Sequence, residues 1–128
     1  MQTLDDAARL ALELPEVTET ERHGNRAWML NGKGFTWERP LNKADIKRLN
    51  GAPVPEGPIL AVRVADLNEK EAVLAENQAG FFTITHFNNY PAVLIQLDKV
   101  SEKALREAIV DAWLACAPPK LAEQYLNS

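Results

Sequence analysis

Asn31-Gly32, set between two runs rich in aromatic and β-branched residues, constrains the fold of this chain more than any other feature. Both residues accept the left-handed backbone that a two-residue hairpin turn demands. Arg26 to Asn31 and Lys33 to Arg39 therefore read as an antiparallel pair. With Asn31-Gly32 as the turn, Leu30 pairs with Lys33, Trp28 with Phe35 and Arg26 with Trp37, all on one side of the sheet. Ala27, Met29, Gly34 and Thr36 then point to the other. Burying two Trp and a Phe is a large apolar gain, which makes the bulky face a core face with Arg26 beside Trp37 as a cation–π pair at the sheet edge. The other reading of this face is an exposed aromatic and basic surface that stacks bases while Arg39, Lys43, Lys47 and Arg48 hold phosphates.

Helices and further strands surround this hairpin. Thr3 followed by Asp6 marks a helix start, and Leu4, Ala7, Ala8, Ala11 and Leu14 repeat at helical spacing until Pro15, so the first helix is expected over residues 4–14. The Thr-rich run from Val17 to Arg22 is a strand. Asn42 with Asp45 caps a short helix through Leu49, which Asn50-Gly51 closes. The Pro-rich stretch 51–58 is a stiff connector within one domain, because neither flank could bury a core alone. Ile59 to Ala65 is a strand, and Asp66 with Glu69 reads as a capping box for a helix through Asn77 that ends near Gly80. Phe81 to Phe87 and Pro91 to Leu97 are expected as two strands facing each other across Asn88-Asn89-Tyr90, with His86 on the first. A last helix starts at Ser101 with an apolar face of Leu105, Ile109, Ala112, Trp113 and Cys116, and Pro118-Pro119 forbids its continuation. Short hairpin connections and terminal helices define an α+β fold: a single two-layer domain over residues 1–128, a mainly antiparallel sheet backed by the N- and C-terminal helices.

With 128 residues the chain fits one domain able to bury a core without disulfides. No apolar run approaches the length a membrane span requires. The acidic N-terminal residues Asp5 and Asp6, with no apolar segment behind them, lead to the expectation of a cytoplasmic location. The formal net charge is −4, but it is unevenly spread: residues 22–48 carry a net +5 and the remainder −9. The basic residues of that segment are Arg22, Arg26, Lys33, Arg39, Lys43, Lys47 and Arg48, so a polyanion has one place to land.

Residues that could carry chemistry are few. His23 and His86 are the only histidines and Cys116 the only cysteine, too few and too scattered for the ligand set of a zinc site. No cofactor is implied. His86 could act as a general base, but no nucleophile is tied to it by spacing. Cys116 falls on the apolar face of the last helix, where a small buried thiol is ordinary. Glu69, Glu71 and Glu76 are helix-surface and cap residues, and Gly32 with Gly34 belongs to hairpin geometry.

Taken together, Leu14-Pro15-Glu16-Val17-Thr18-Glu19, the strand opening at Gly24 and running to Leu30, Phe81-Phe82-Thr83, Tyr90 to Leu97 and Asp111 to Leu121 resemble the MmcQ/YjbR family over nearly the whole chain. The chain departs from the family pattern at Arg22-His23-Gly24-Asn25-Arg26, where a Trp-Gly pair often stands, and in the 51–58 stretch. The resemblance implies a compact domain related to secretion-chaperone-like folds, with DNA as the ligand, and brings no catalytic residue with it. Read this way, the chain is a non-enzymatic binding domain whose nucleic-acid contacts are Arg26, Arg39, Lys43, Lys47 and Arg48. Two other classes stand beside it: a homodimeric protein-interaction module burying Trp113, Tyr125 or the Phe81-Phe82 strand against a partner, and an enzyme using His86.

Overall fold

The computed structural model describes residues 1–128. Its centre is a six-stranded, fully antiparallel sheet with the strand order β1-β2-β3-β4-β6-β5. The strands are β1 (Thr18–Arg22), β2 (Asn25–Leu30), β3 (Lys33–Glu38), β4 (Ile59–Arg63), β5 (Phe81–Phe82) and β6 (Ala92–Gln96). Five helices accompany them: α1 (Leu4–Leu12), α2 (Lys43–Arg48), α3 (Leu67–Ala75), α4 (Glu102–Cys116) and α5 (Pro119–Leu126). The α+β fold, the antiparallel sheet and its backing by the first and fourth helices follow the expectation from sequence.

Local chemistry accounts for most boundaries. Thr3 and Asp6 close a reciprocal capping box at α1, the Thr3 hydroxyl accepting the Asp6 N–H at 3.1 Å and the Asp6 carboxylate accepting the Thr3 N–H at 2.9 Å. The helix stops at Leu12, two residues short of the pattern, because the chain reverses through Glu16 at φ 62°. At α3 only half of the expected box forms. Asp66 accepts the Glu69 N–H at 2.8 Å and nothing is returned. The α3–β5 turn needs Gly80: at φ +91°, a Cβ there would sit 2.8 Å from the Gln96 carbonyl.

The hairpin register is corrected by one residue. Leu30 opposes Lys33 and Met29 opposes Gly34, but Trp28 opposes Thr36 and Ala27 opposes Trp37. Phe35 is the extra residue of a β-bulge, and both Phe35 and Thr36 are fully buried. The consequence is that Trp37 leaves the face of Trp28 and joins Ala61 on the opposite one. Arg26 accordingly does not meet Trp37; its guanidinium lies over Trp28, 5.4 Å from the ring centre.

Two apolar clusters sandwich the middle of the sheet. The larger joins Leu60, Val62, Val93 and Ile95 to α1 and α4, with Trp28, Phe35 and Trp113 at its heart. The smaller lies on the second face, where Ile84 and Phe87 cover Ile59, Ala61, Ala92 and Leu94. This second cover explains another correction: the expected strand Phe81 to Phe87 pairs only at Phe81 and Phe82. The chain then leaves the ladder and enters a 3-10 turn at Thr85–Phe87, because Ile84 and Phe87 gain more by plugging the second face than by extending an edge strand. His86 is therefore exposed on a turn, not set on a strand.

Pro118-Pro119 ends α4 as expected, but it also starts α5, with Pro119 in the first turn where its missing N–H costs nothing. Tyr125 of α5 closes over Trp113 with ring centres 5.0 Å apart, and the Trp113 indole N–H donates to the Pro15 carbonyl at 3.1 Å. Trp113 is thus sealed inside and offers a partner nothing. Cys116 is half-buried, and burial pushes its thiol pKa up. Trp113→Ala is expected to destabilise the fold by about 3–5 kcal/mol, measured by chemical denaturation; a change under about 1 kcal/mol would contradict the packing described.

Candidate nucleic-acid interface

The five basic residues expected to form one surface are separated by the fold into three situations. Lys43, Lys47 and Arg48 lie on α2, all exposed, with no carboxylate within 4.0 Å of any of them. Lys43 and Lys47, four residues apart, share one helix face. Helix α2 exists at this point because Asn42 and Asp45 cap it reciprocally, the Asn42 side chain accepting the Asp45 N–H at 2.8 Å and Asp45 the Asn42 N–H at 3.0 Å.

Arg39 is an anchor. Its guanidinium donates to Asp45 at 2.9 Å and to the Pro40 carbonyl at 2.6 Å, and it covers the Phe87 ring with 5.6 Å to the centre. Asp45, expected from sequence as the capping partner of Asn42, is just 3% exposed. Burial acts to raise its pKa, but the Asn42 backbone N–H and the Arg39 guanidinium outweigh that and hold the carboxyl below its ordinary range. The pair ties α2 to the sheet.

Arg26 is a clamp on the helical side. It reaches Glu19 at 3.0 Å and Asp5 at 2.8 Å, while Trp28 donates its indole N–H to the same Glu19 at 2.9 Å. The hydrogen bond to Glu19 and then that to Asp5 raise the guanidinium pKa further, so its charge is balanced within the protein.

Between α2 and the β1–β2 turn, a cleft of about 340 Å³ opens on the second face of the sheet. Trp37, Arg63 and Tyr90 form its aromatic and cationic wall, Arg39 borders it on the side of α2, and Arg22 and His23 stand at the β1–β2 turn. Arg26 borders the cleft as well, with its guanidinium already committed to Asp5 and Glu19. Arg63 is set over both Trp37 and Tyr90, 5.6 Å from each ring centre, and its Nε donates to the Gly34 carbonyl at 2.7 Å. Tyr90 is held from behind by Lys70, whose buried amine donates to the Tyr90 carbonyl at 2.9 Å and to the Phe87 carbonyl; burial lowers its pKa. Sequence reasoning passed over Arg63 and Tyr90, and counted Arg22 only in the charge of the basic segment. The one available signal was Arg63 at the end of the apolar run Ile59-Leu60-Ala61-Val62, in step with Ile59 and Ala61 and hence on the second face.

Other candidate chemistry stays dispersed. His86 is exposed with its ring centre 6.1 Å from that of Phe87, and no three His, Cys, Asp or Glu side chains are placed to share a metal ion. No helix is long and apolar enough to cross a membrane.

These features define an α+β domain of six antiparallel strands with a basic helix beside an aromatic cleft. The YjbR family model matches residues 12–115, and the chain belongs to that family. It is 40% identical over 128 aligned residues to the uncharacterized proteins Rv2570 of Mycobacterium tuberculosis and Mb2600 of Mycobacterium bovis, spanning 98% of this chain and 97% of each relative. Among solved structures, the fold is similar to that of Deinococcus radiodurans protein DR2400, a DUF419 domain, with a TM-score of 0.65 at 20% identity over 99% of this chain and 89% of that one.

Asp45→Asn should destabilise the protein by about 1–3 kcal/mol at neutral pH, since it leaves Arg39 without its counter-charge. Because the native pKa is depressed below the unfolded value, the wild-type advantage is complete above the unfolded value and disappears as pH falls through the native one. Denaturation of both proteins at neutral and strongly acid pH checks this; an equal gap at both would show that the charge of Asp45 plays no part.

Proposed function

We propose that this YjbR-family domain is a non-enzymatic nucleic-acid-binding protein, with DNA as the ligand and α2 as the principal phosphate-contacting element. The observation that carries this reading is the trio Lys43, Lys47 and Arg48, exposed on one short helix with no ion-pair partner. An unpaired surface cation keeps its field for a ligand, whereas Arg26 and Arg39 have theirs neutralised in place. Arg39 contributes by holding α2 rather than by offering a free charge. The acidic balance of the rest of the chain repels a polyanion elsewhere and so favours one orientation of approach. The large exposed apolar side chains Leu12, Ile46, Val54, Leu67 and Leu126 sit on separate elements and supply no specific support for a protein-interaction module.

Replacing Lys43 and Lys47 together by Ala should weaken binding about equally for all DNA sequences and reduce the slope of log affinity against log salt by roughly one for each phosphate no longer neutralised. Fluorescence anisotropy titrations at several salt concentrations measure both quantities. Unchanged affinity and slope would reduce α2 to a solvated surface and remove the basis of this proposal.

A further inference from the structure

Building on the nucleic-acid reading, we propose that the cleft beside α2 receives one unpaired nucleotide, so that the protein prefers single-stranded over duplex nucleic acid. The cleft of about 340 Å³ lies within the size range of small-ligand pockets. A base inside a duplex has both faces covered by its neighbours; only an unpaired base can present a free face to a stacking wall.

That wall is built, not incidental. The β-bulge at Phe35 turns Trp37 away from the main core, where an alternating strand would have buried it with Trp28, and leaves it partly buried against the second cluster beside Arg63. Bulges recur where a side chain must be re-aimed. Arg63 and Tyr90 complete a row of ring, guanidinium and ring, and a base extends such a row by stacking on an outer ring. Arg63 makes no ion pair, and neither does Arg22, which is exposed at the β1–β2 turn; both keep a positive charge for the phosphate of the same nucleotide. Glu38 is the one carboxylate in the cleft lining. One of its oxygens accepts the Arg26 backbone N–H at 3.0 Å, and the other is an acceptor suited to a base amino group. The adjoining α2 continues the phosphate track, since Arg39 both borders the cleft and bonds Asp45 of that helix.

The wild-type protein carries its own probe. Trp28 and Trp113 are 0% exposed, so tryptophan quenching by a bound base reports on Trp37. Titrating with a short oligo-deoxyadenylate strand, and separately with its duplex with oligo-deoxythymidylate, should give about tenfold tighter binding of the strand at low salt and quenching by the strand only. Trp37→Leu, followed by anisotropy, should bring the strand to the affinity of the duplex, and Trp37→Phe should retain most of the difference. The Lys43→Ala and Lys47→Ala double variant should weaken both forms and keep their ratio. Equal binding of strand and duplex without quenching overturns the single-strand inference while leaving α2 as a polyanion surface. Failure of both forms to bind at low salt overturns the nucleic-acid reading and this inference with it. If a Trp37 variant does not fold, the wild-type comparison of strand and duplex decides alone.

Discussion

Burial of β4 and β6 on both faces is the constraint on which the rest of this structure hangs. These two strands pair over five residues, and every side chain from Ile59 to Val62 and from Ala92 to Gln96 is buried. One set of alternate residues belongs to α1 and α4, the other to Ile84 and Phe87. A sheet covered on one face only could have left the second open from edge to edge. Here the apolar middle must be capped on both sides, so the chain between β5 and β6 serves as a plug, and exposed sheet surface remains toward β3, β2 and the edge strand β1, whose five residues are all exposed. The cleft lies there because the plug ends there, with Tyr90 as its last aromatic residue.

Charge follows position in the same way. Arg26, Arg39 and Arg63 each lie against an aromatic ring, and they differ in what else they touch. Arg26 joins α1, β1 and β2 through two carboxylates; Arg39 joins β3 to α2 through one; Arg63 has a backbone carbonyl and no carboxylate. A guanidinium with its counter-charge in place is a structural tie. One without it remains available to an anion from outside.

Much of this architecture was legible in the amino-acid sequence, and the failures have specific causes. Thr3 with Asp6, Asn42 with Asp45 and Ser101 named helix starts correctly, because a capping side chain acts on a backbone N–H only three residues away. Asn31-Gly32 named the hairpin for the same reason of locality, yet not its register beyond Gly34. The bulge at Phe35 satisfies a tertiary demand, burying Phe35 and Thr36 together, and no turn residue announces it. Phe81 to Phe87 read as strand because aromatic and β-branched residues suit a pleated surface equally well when they plug one. The basic segment 22–48 was visible as a run of charge, but whether each cation is free depends on Asp5, Glu19 and Asp45, two of which lie outside it.

Lys70 gives the cleft a property that the wall residues alone would not. Its ammonium has no carboxylate partner; it is accommodated by two carbonyl dipoles, those of Phe87 and Tyr90, on the far side of the aromatic wall. Removing a charge from water is tolerable only with hydrogen bonds in good geometry, so the amine and the two carbonyls hold one another in place. The backbone at Phe87 and Tyr90 is consequently tied to α3, and the Tyr90 ring packs from that anchored backbone against Phe87, 5.5 Å between ring centres, and Arg63. Rigidity at the aromatic wall is thus supplied from within the fold, by a lysine that lies outside the cleft lining.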